Sequence, residues 1–267
     1  MRSHARVLLC AAFVCACWLG CAPQPASFPH GRLVDLTHDF SEETIYWPTA
    51  KSFTLEKVAE GVTPAGYYYA ANNFSAAEHG GTHLDAPIHF SEGKFTSDQI
   101  PLEQLVGAAI VVEVSAATAT NRDYQVSVAD FEAWEQAHGK IPDKAIVLLR
   151  TGHGKFWPNR EQYLGTAEFG AEAVAKLHFP GLHPEAARWL VNNRTISAIG
   201  LDTPSIDYGQ STLFESHVTL FGANIPAFEN VANLEHLPAK GAIVIALPMK
   251  IKGGSGGPLR MIAIVSF

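Results

Sequence analysis

The segment EHGGTHLDAPIHF, Glu78 to Phe90, places three histidines and one aspartate within the eleven residues from His79 to His89. Imidazole and carboxylate at that density make the donor set of a divalent-metal site built without thiolates. His79 and His83 stand four apart, the spacing of a helical zinc motif. Gly80, Gly81 and Thr82 lie between them and Pro87 follows, so a helix is excluded, and the glutamate of the helical protease motif is missing. An extended chain suits the spacing better. With side chains alternating at period two, His83, Asp85, Pro87 and His89 share one face, and the apolar Leu84, Ala86 and Ile88 take the other. The preceding glycines let the backbone turn so that His79 can join them. A lone histidine is ordinarily a packed or surface residue; three on one short segment, with a carboxylate in phase, point to a metal nest.

The elements that must position these residues start after a distinct leader. MRSHAR is basic, VLLCAAFVCACWL is apolar, and GCAPQPAS follows, the layout of a secretory signal over residues 1–20. The apolar run is short for a membrane span. Leu19-Gly20-Cys21 suggests lipoprotein processing with Cys21 as the lipidated residue, although Trp18 stands where such signals carry an aliphatic side chain; a non-cleaved anchor is the alternative. The expected location is therefore periplasmic or membrane-anchored. Residues 21–31 read as a Pro-rich tether and 32–267 as the folded domain. All four cysteines, Cys10, Cys15, Cys17 and Cys21, precede the folded domain, so the domain has no internal disulfide or thiolate ligand.

The chain has 267 residues, 47% hydrophobic and 17% charged, with a net charge of -7 and no long run of either sign. Nothing in it suggests a nucleic-acid binder, which would carry a basic face. Strands are expected at 32–38, 108–114, 145–152, 196–205, 241–248 and 259–267, most of them near-continuous apolar runs of the kind buried on both faces. Helices are expected from the Ser-x-x-Asp cap at Ser127 to Gly139, and over HPEAARWLVNN, which has Pro184 near its first turn. The mixture indicates an α/β domain with a mixed, partly parallel sheet. GGSGGP at 253–258 lacks a following Gly-Lys-Ser/Thr and opens no helix, so a flexible turn is expected there rather than a phosphate loop.

The pattern HGGTHLDAPIH resembles the signature of the cyclase family, which includes bacterial kynurenine formamidase and isatin hydrolase. RLVDLTHDFSEETIYWP, LDTPSID and ESHVTLFGANIPAFENVANLEHLP extend the resemblance over nearly the whole domain. It implies a swivelling β/β/α fold, usually dimeric, with one or two divalent ions, Mn or Zn. It also implies that His79, His83 and Asp85 form a first ligand set and that His89 acts as acid/base. His217 and Glu229, twelve apart, would complete a second metal site with Asp85 bridging. Thr82 could orient a ligand from behind.

The chemistry so implied is attack of activated water on an amide carbonyl, with His89, its pKa near the working pH, moving a proton to the leaving nitrogen. Tyr46, Trp47, Phe53, Phe74, Trp157 and Phe214 are candidates to line a pocket for a flat aryl amide, and Trp47, beside Pro48, is the foremost. The expected activity leans to ring opening of isatin or a related cyclic amide. Arylformamidase activity is the alternative within the same chemistry. A non-catalytic exported binding protein is the alternative of another class, and His89 beside a complete ligand set argues against it.

Overall fold

The computed structural model of the protein describes residues 30–266; the leader, Cys21 and nearly all of the tether lie outside the described residues. The strands in chain order are β1 (Arg32–Asp35), β2 (Thr54–Val62), β3 (Tyr68–Ser75), β4 (His83–Asp85), β5 (Val106–Glu113), β6 (Gln125–Val126), β7 (Ile146–Arg150), β8 (Gly181–Leu182), β9 (Ala198–Leu201), β10 (Ala227–Glu229), β11 (Lys240–Pro248) and β12 (Gly256–Val265). Eight of them form one sheet in the order β1-β12-β11-β5-β7-β9-β10-β4, and β4 also pairs with the start of β12, so the sheet closes on itself. Pairing is parallel from β5 through β7 and β9 to β10 and antiparallel elsewhere, the mixed sheet of an α/β fold.

The apolar runs explain this sheet. Along β7, Ile146 and Leu148 enter one buried cluster while Val147 and Leu149 enter another on the opposite face. A strand covered on both sides has no polar phase, which is why these segments read as continuous hydrophobic stretches. Helix Val128–His138 packs over one face, capped reciprocally by Ser127 and Asp130, and ends at Gly139. Helix Pro184–Asn193, with proline in its first turn, joins it. A third helix, Glu215–Gly222, was not expected from the sequence; its Leu220 and Phe221 reach the same core.

Two expectations are corrected. The extended phase after His83 stops at Asp85, because Pro87 opens a turn of 3-10 helix over Pro87–His89. His89 therefore reaches the site from a helical turn, not from the strand. The glycine-rich segment is more than a connecting turn: Gly256, Gly257 and Pro258 pair with Asp85, Leu84 and His83. A third feature had no forecast. β2 and β3 form a separate two-stranded hairpin that leaves Leu55, Val58, Val62, Tyr68, Tyr69 and Phe74 exposed.

Candidate metal centre

β4 lies between β10 and β12 and carries His83 and Asp85 into the interior, while β10 brings Glu229 opposite His83. Helix Glu215–Gly222 supplies His217 in its first turn. His79 arrives from a turn in which Gly81 sits at φ +58, a left-handed conformation that L side chains seldom adopt. The fold thus gathers His79, His83, Asp85, His89, His217 and Glu229, residues up to 150 positions apart, at one place.

The donors converge on Asp85. Its Oδ1 lies 2.6 Å from His79 Nδ1 and 3.0 Å from His83 Nε2, and its Oδ2 is 3.4 Å from His217 Nε2. Glu229 stands 3.4 Å from His83 Nε2 through Oε2 and 3.2 Å from His217 Nε2 through Oε1. His83, Asp85, His217 and Glu229 are each at most 4% exposed. His79 is more open and stacks on His89 with ring centroids 3.8 Å apart.

Proton accounting shows what the cluster is built to hold. His83 Nδ1–H donates to the Gly81 carbonyl at 2.9 Å, which leaves the lone pair of Nε2 facing two carboxylates. That buried Nε2 makes no hydrogen bond. His217 Nδ1–H donates to Asp207 at 2.6 Å, and its Nε2 likewise faces Glu229 and Asp85. Lone pairs aimed at carboxylates at this depth require a cation between them, a proton or a metal ion. Metal–ligand distances of about 2.0–2.2 Å place neighbouring ligand atoms roughly 3.0–3.5 Å apart. The contacts of Asp85 and Glu229 with His83 and His217 match, while the 2.6 Å contact of Asp85 with His79 is a hydrogen-bond distance. Two donor groups fit a divalent ion, His83–Asp85–Glu229 and His79–Asp85–His89, and they share Asp85.

The electrostatics follow the same logic. Burial, the largest effect, acts to lower the His217 pKa, but hydrogen bonds with Asp207, Asp85 and Glu229 together drive it well above its ordinary value. His83 is raised by Asp85 and Glu229 against the same burial. Glu229 is pushed up by desolvation and by the nearby Asp85 charge. Asp85, despite its burial, is held well below the usual carboxylate range by His79, His217 and His83. His89 departs from expectation: burial brings its pKa down to about 4, so it rests neutral near pH 7.

Sequence reasoning missed the residues that hold the donors. Asp207 orients His217 and also accepts its backbone N–H and that of Ser216. Asn230, in a left-handed conformation at φ 52, donates from its side chain to the Gly81 carbonyl at 2.7 Å and so steadies the loop beside His83. The short LDTPSID segment that carries Asp207 was part of the resemblance, but nothing in its spacing paired it with a histidine ten residues on. Thr82 makes no side-chain hydrogen bond to a donor; it accepts from the His38 N–H and donates to the Asn230 carbonyl, next to Glu229.

A cavity of about 320 Å³ opens over the cluster. Trp47, Tyr46, Phe90 and Phe214 line it together with the donors, and its walls are mostly apolar. Phe53, Phe74 and Trp157 are not in the lining: the first two stack on each other at the hairpin, and Trp157 stacks on His38. A small apolar chamber floored by imidazoles and carboxylates suits a flat, largely apolar molecule carrying one polar reacting group.

Several known proteins are similar to this chain over most of its length. Residues 34–208 match the family model described as "Putative cyclase". The isatin hydrolase of Roseibium aggregatum is 31% identical over 245 residues, covering 89% of this chain and 88% of that one. The kynurenine formamidase of Salinibacter ruber is 26% identical over 234 residues, covering 86% and 96%. Among solved structures, isatin hydrolase A from Labrenzia aggregata, bound to benzyl benzoate, superposes with a TM-score of 0.79 at 35% identity, covering 88% of this chain and 94% of that one.

Proposed function

The chain belongs to the cyclase family of metal-dependent hydrolases, and from that premise we propose that it hydrolyses an aryl amide C–N bond, opening the ring of isatin or a related cyclic amide. The observation that carries the reading is the aromatic cavity that ends on the donor cluster, with Trp47 and Phe214 on its walls and His89 beside His79. The greater identity to an isatin hydrolase, 31% against 26–28% for kynurenine formamidases, favours the ring-opening substrate. Deformylation of an aryl formamide uses the same catalytic parts and is the second reading, supported by those formamidase relatives.

The residues that would hold the metal are His79, His83, Asp85, His217 and Glu229, with Mn or Zn suited to their nitrogen and oxygen donors. A divalent ion bound there supplies Lewis-acid polarisation of a carbonyl and a water of lowered pKa. The chain's own part is to place and protonate. Trp47 and Phe214 hold the ring plane, and the mostly apolar walls leave few polar groups beside it. Water adds to the carbonyl carbon, the C–N bond breaks, and the nitrogen leaves with a proton. His89, neutral at rest, takes a proton from the attacking water and delivers it to that nitrogen.

A paired turnover assay tests the reading, with isatin against N-formylkynurenine on Mn- and Zn-loaded protein. Opening of isatin alone supports the ring-opening activity. Deformylation alone moves the protein to the formamidase reading. Turnover of neither leaves a binding protein as the better account.

We also propose a homodimer and an exported location. The exposed apolar face of the β2–β3 hairpin supports the first, since a lone two-stranded ribbon is marginal in water and is stabilised by being covered. A monomeric mass by light scattering would reject it. The basic start, apolar run and Leu-Gly-Cys sequence support the second, with Cys21 lipidated; loss of membrane association in Cys21→Ser is the expected result.

A further inference from the structure

The glycine-rich segment 253–258 has no part in the chemistry above, yet it is pressed against the first histidine of the site. A Cβ on Gly256 would lie 2.6 Å from the His79 ring, and one on Gly254 would lie 2.8 Å from Glu78 Oε1. Between these two glycines stands Ser255. Its backbone N–H donates to Glu78 Oε2 at 2.9 Å, and its Oγ lies 2.5 Å from the same oxygen and 2.8 Å from His79 Nε2.

The protons on this chain can be assigned by counting. A serine hydroxyl has one proton. At 2.5 Å from a carboxylate oxygen that proton lies on the Ser255–Glu78 contact. Ser255 Oγ then has only lone pairs for His79, so His79 Nε2 carries the hydrogen and donates it. This leaves His79 Nδ1 turned inward, 2.6 Å from Asp85 Oδ1, a contact that a second proton bridges without metal and that a metal ion would replace, with Nδ1 as the ligand atom. The same device appears twice more in the site, with the Gly81 carbonyl behind His83 and Asp207 behind His217.

We propose that Glu78 and Ser255 form a positioning pair that fixes the His79 tautomer and ring plane, turning Nδ1 towards the metal site. The glycines on either side of Ser255 are the condition for this contact, because they let the loop backbone approach Glu78 and His79 without a side chain between. The proposal rests on the reading of His79 as a ligand, and it brings the C-terminal loop into the construction of a site otherwise built from β4 with the turns before and after it, β10 and one helix.

The test is Ser255→Ala beside Ser255→Thr, which keeps the hydroxyl. Three quantities are measured on the full folded protein: Mn²⁺ affinity by competition with a chelating dye, the visible spectrum of the Co²⁺-loaded form, and the melting temperature without metal. The expected result is a 10- to 100-fold loss of Mn²⁺ affinity in Ser255→Ala, roughly the effect of losing a partner behind a ligating histidine. The Co²⁺ bands change, the metal-free melting temperature stays within about 2 °C, and Ser255→Thr recovers most of the affinity. Unchanged affinity and spectrum in Ser255→Ala would overturn the proposal. So would an affinity loss that only tracks a lowered melting temperature, or a wild-type protein that binds neither ion. Substrate turnover does not enter these readouts, so failure to open isatin would sink the proposed activity and leave the positioning pair standing.

Discussion

His89 and Asp207 mark the two kinds of work that single residues do in this site. His89 lines the cavity and stacks on His79, and burial holds its pKa at about 4. The structure also groups its ring nitrogen with His79 and Asp85 in a possible donor set, so a ligand and a proton carrier make different forecasts. As a proton carrier, His89→Ala keeps the metal stoichiometry of the wild type and loses about 10²–10⁴-fold in kcat; elemental analysis and turnover on one preparation check both. Lost metal would make His89 a ligand. Asp207 touches no substrate and acts through His217. Asp207→Asn removes the charge behind that imidazole and keeps one of the two oxygen acceptors, enough for the Ser216 N–H while the His217 side loses its acceptor. Metal affinity is expected to fall about tenfold with the unfolding midpoint in urea little changed. An Asp207→Asn protein with full affinity would show that the His217 ring is held by packing alone.

At the scale of elements, the strand β4 is three residues long and owes its position to partners on both sides, β10 and the first residues of β12. Gly256 is where this contact is closest: an added Cβ would sit 2.4 Å from the Leu84 carbonyl and 2.6 Å from the His79 ring. A backbone oxygen inside a closed sheet has little room to yield. Gly256→Ala is therefore expected to cost about 1–3 kcal/mol, read as a lower urea midpoint at constant m-value, and to weaken metal binding as well. Stability equal to wild type would mean that β12 can shift away from β4. These elements also show what the sequence could and could not reveal. The central strands were legible because burial on both faces leaves an unbroken apolar run, and helix Val128–His138 because its cap is written in local residues. His83 and Asp85 were legible because a strand projects alternate side chains to one side. The turn at Pro87, the loop at Ser255 and the pairing of Asp207 with His217 were not. Each depends on which distant backbone lies alongside, and that is settled by closure of the sheet rather than by any local period.

For the molecule as a whole, acid is the condition that should test the fold most sharply, because it encloses histidines in neutral form away from the donor cluster. His153 is buried, its Nε2–H donating to the Tyr163 carbonyl at 2.6 Å. Desolvation lowers its pKa to about 4; the carbonyl bond opposes this, and the Arg122 and Lys155 charges add to it. In the unfolded chain the same group titrates near 6.5. Between those two values the unfolded state binds more protons than the folded one, so stability rises with pH through this window and is lost as pH falls from about 6.5 to 4. The full separation corresponds to roughly 3 kcal/mol for one histidine. His38, stacked on Trp157 and also lowered to about 4, adds to the loss in the same direction. Measured in chelator, which removes linkage to metal, urea unfolding also contains the opposite contribution of His83 and His217, whose raised pKa values add stability as pH falls. The His153 share is therefore read as a difference between wild type and variant. His153→Gln keeps an N–H for the Tyr163 carbonyl but cannot take up a proton. It should retain roughly 2 kcal/mol more of its neutral-pH stability at pH 4.5 than the wild type does. Parallel pH curves for the two proteins would show that His153 protonates without unfolding, and that the interior around Tyr163 admits water as the pH falls.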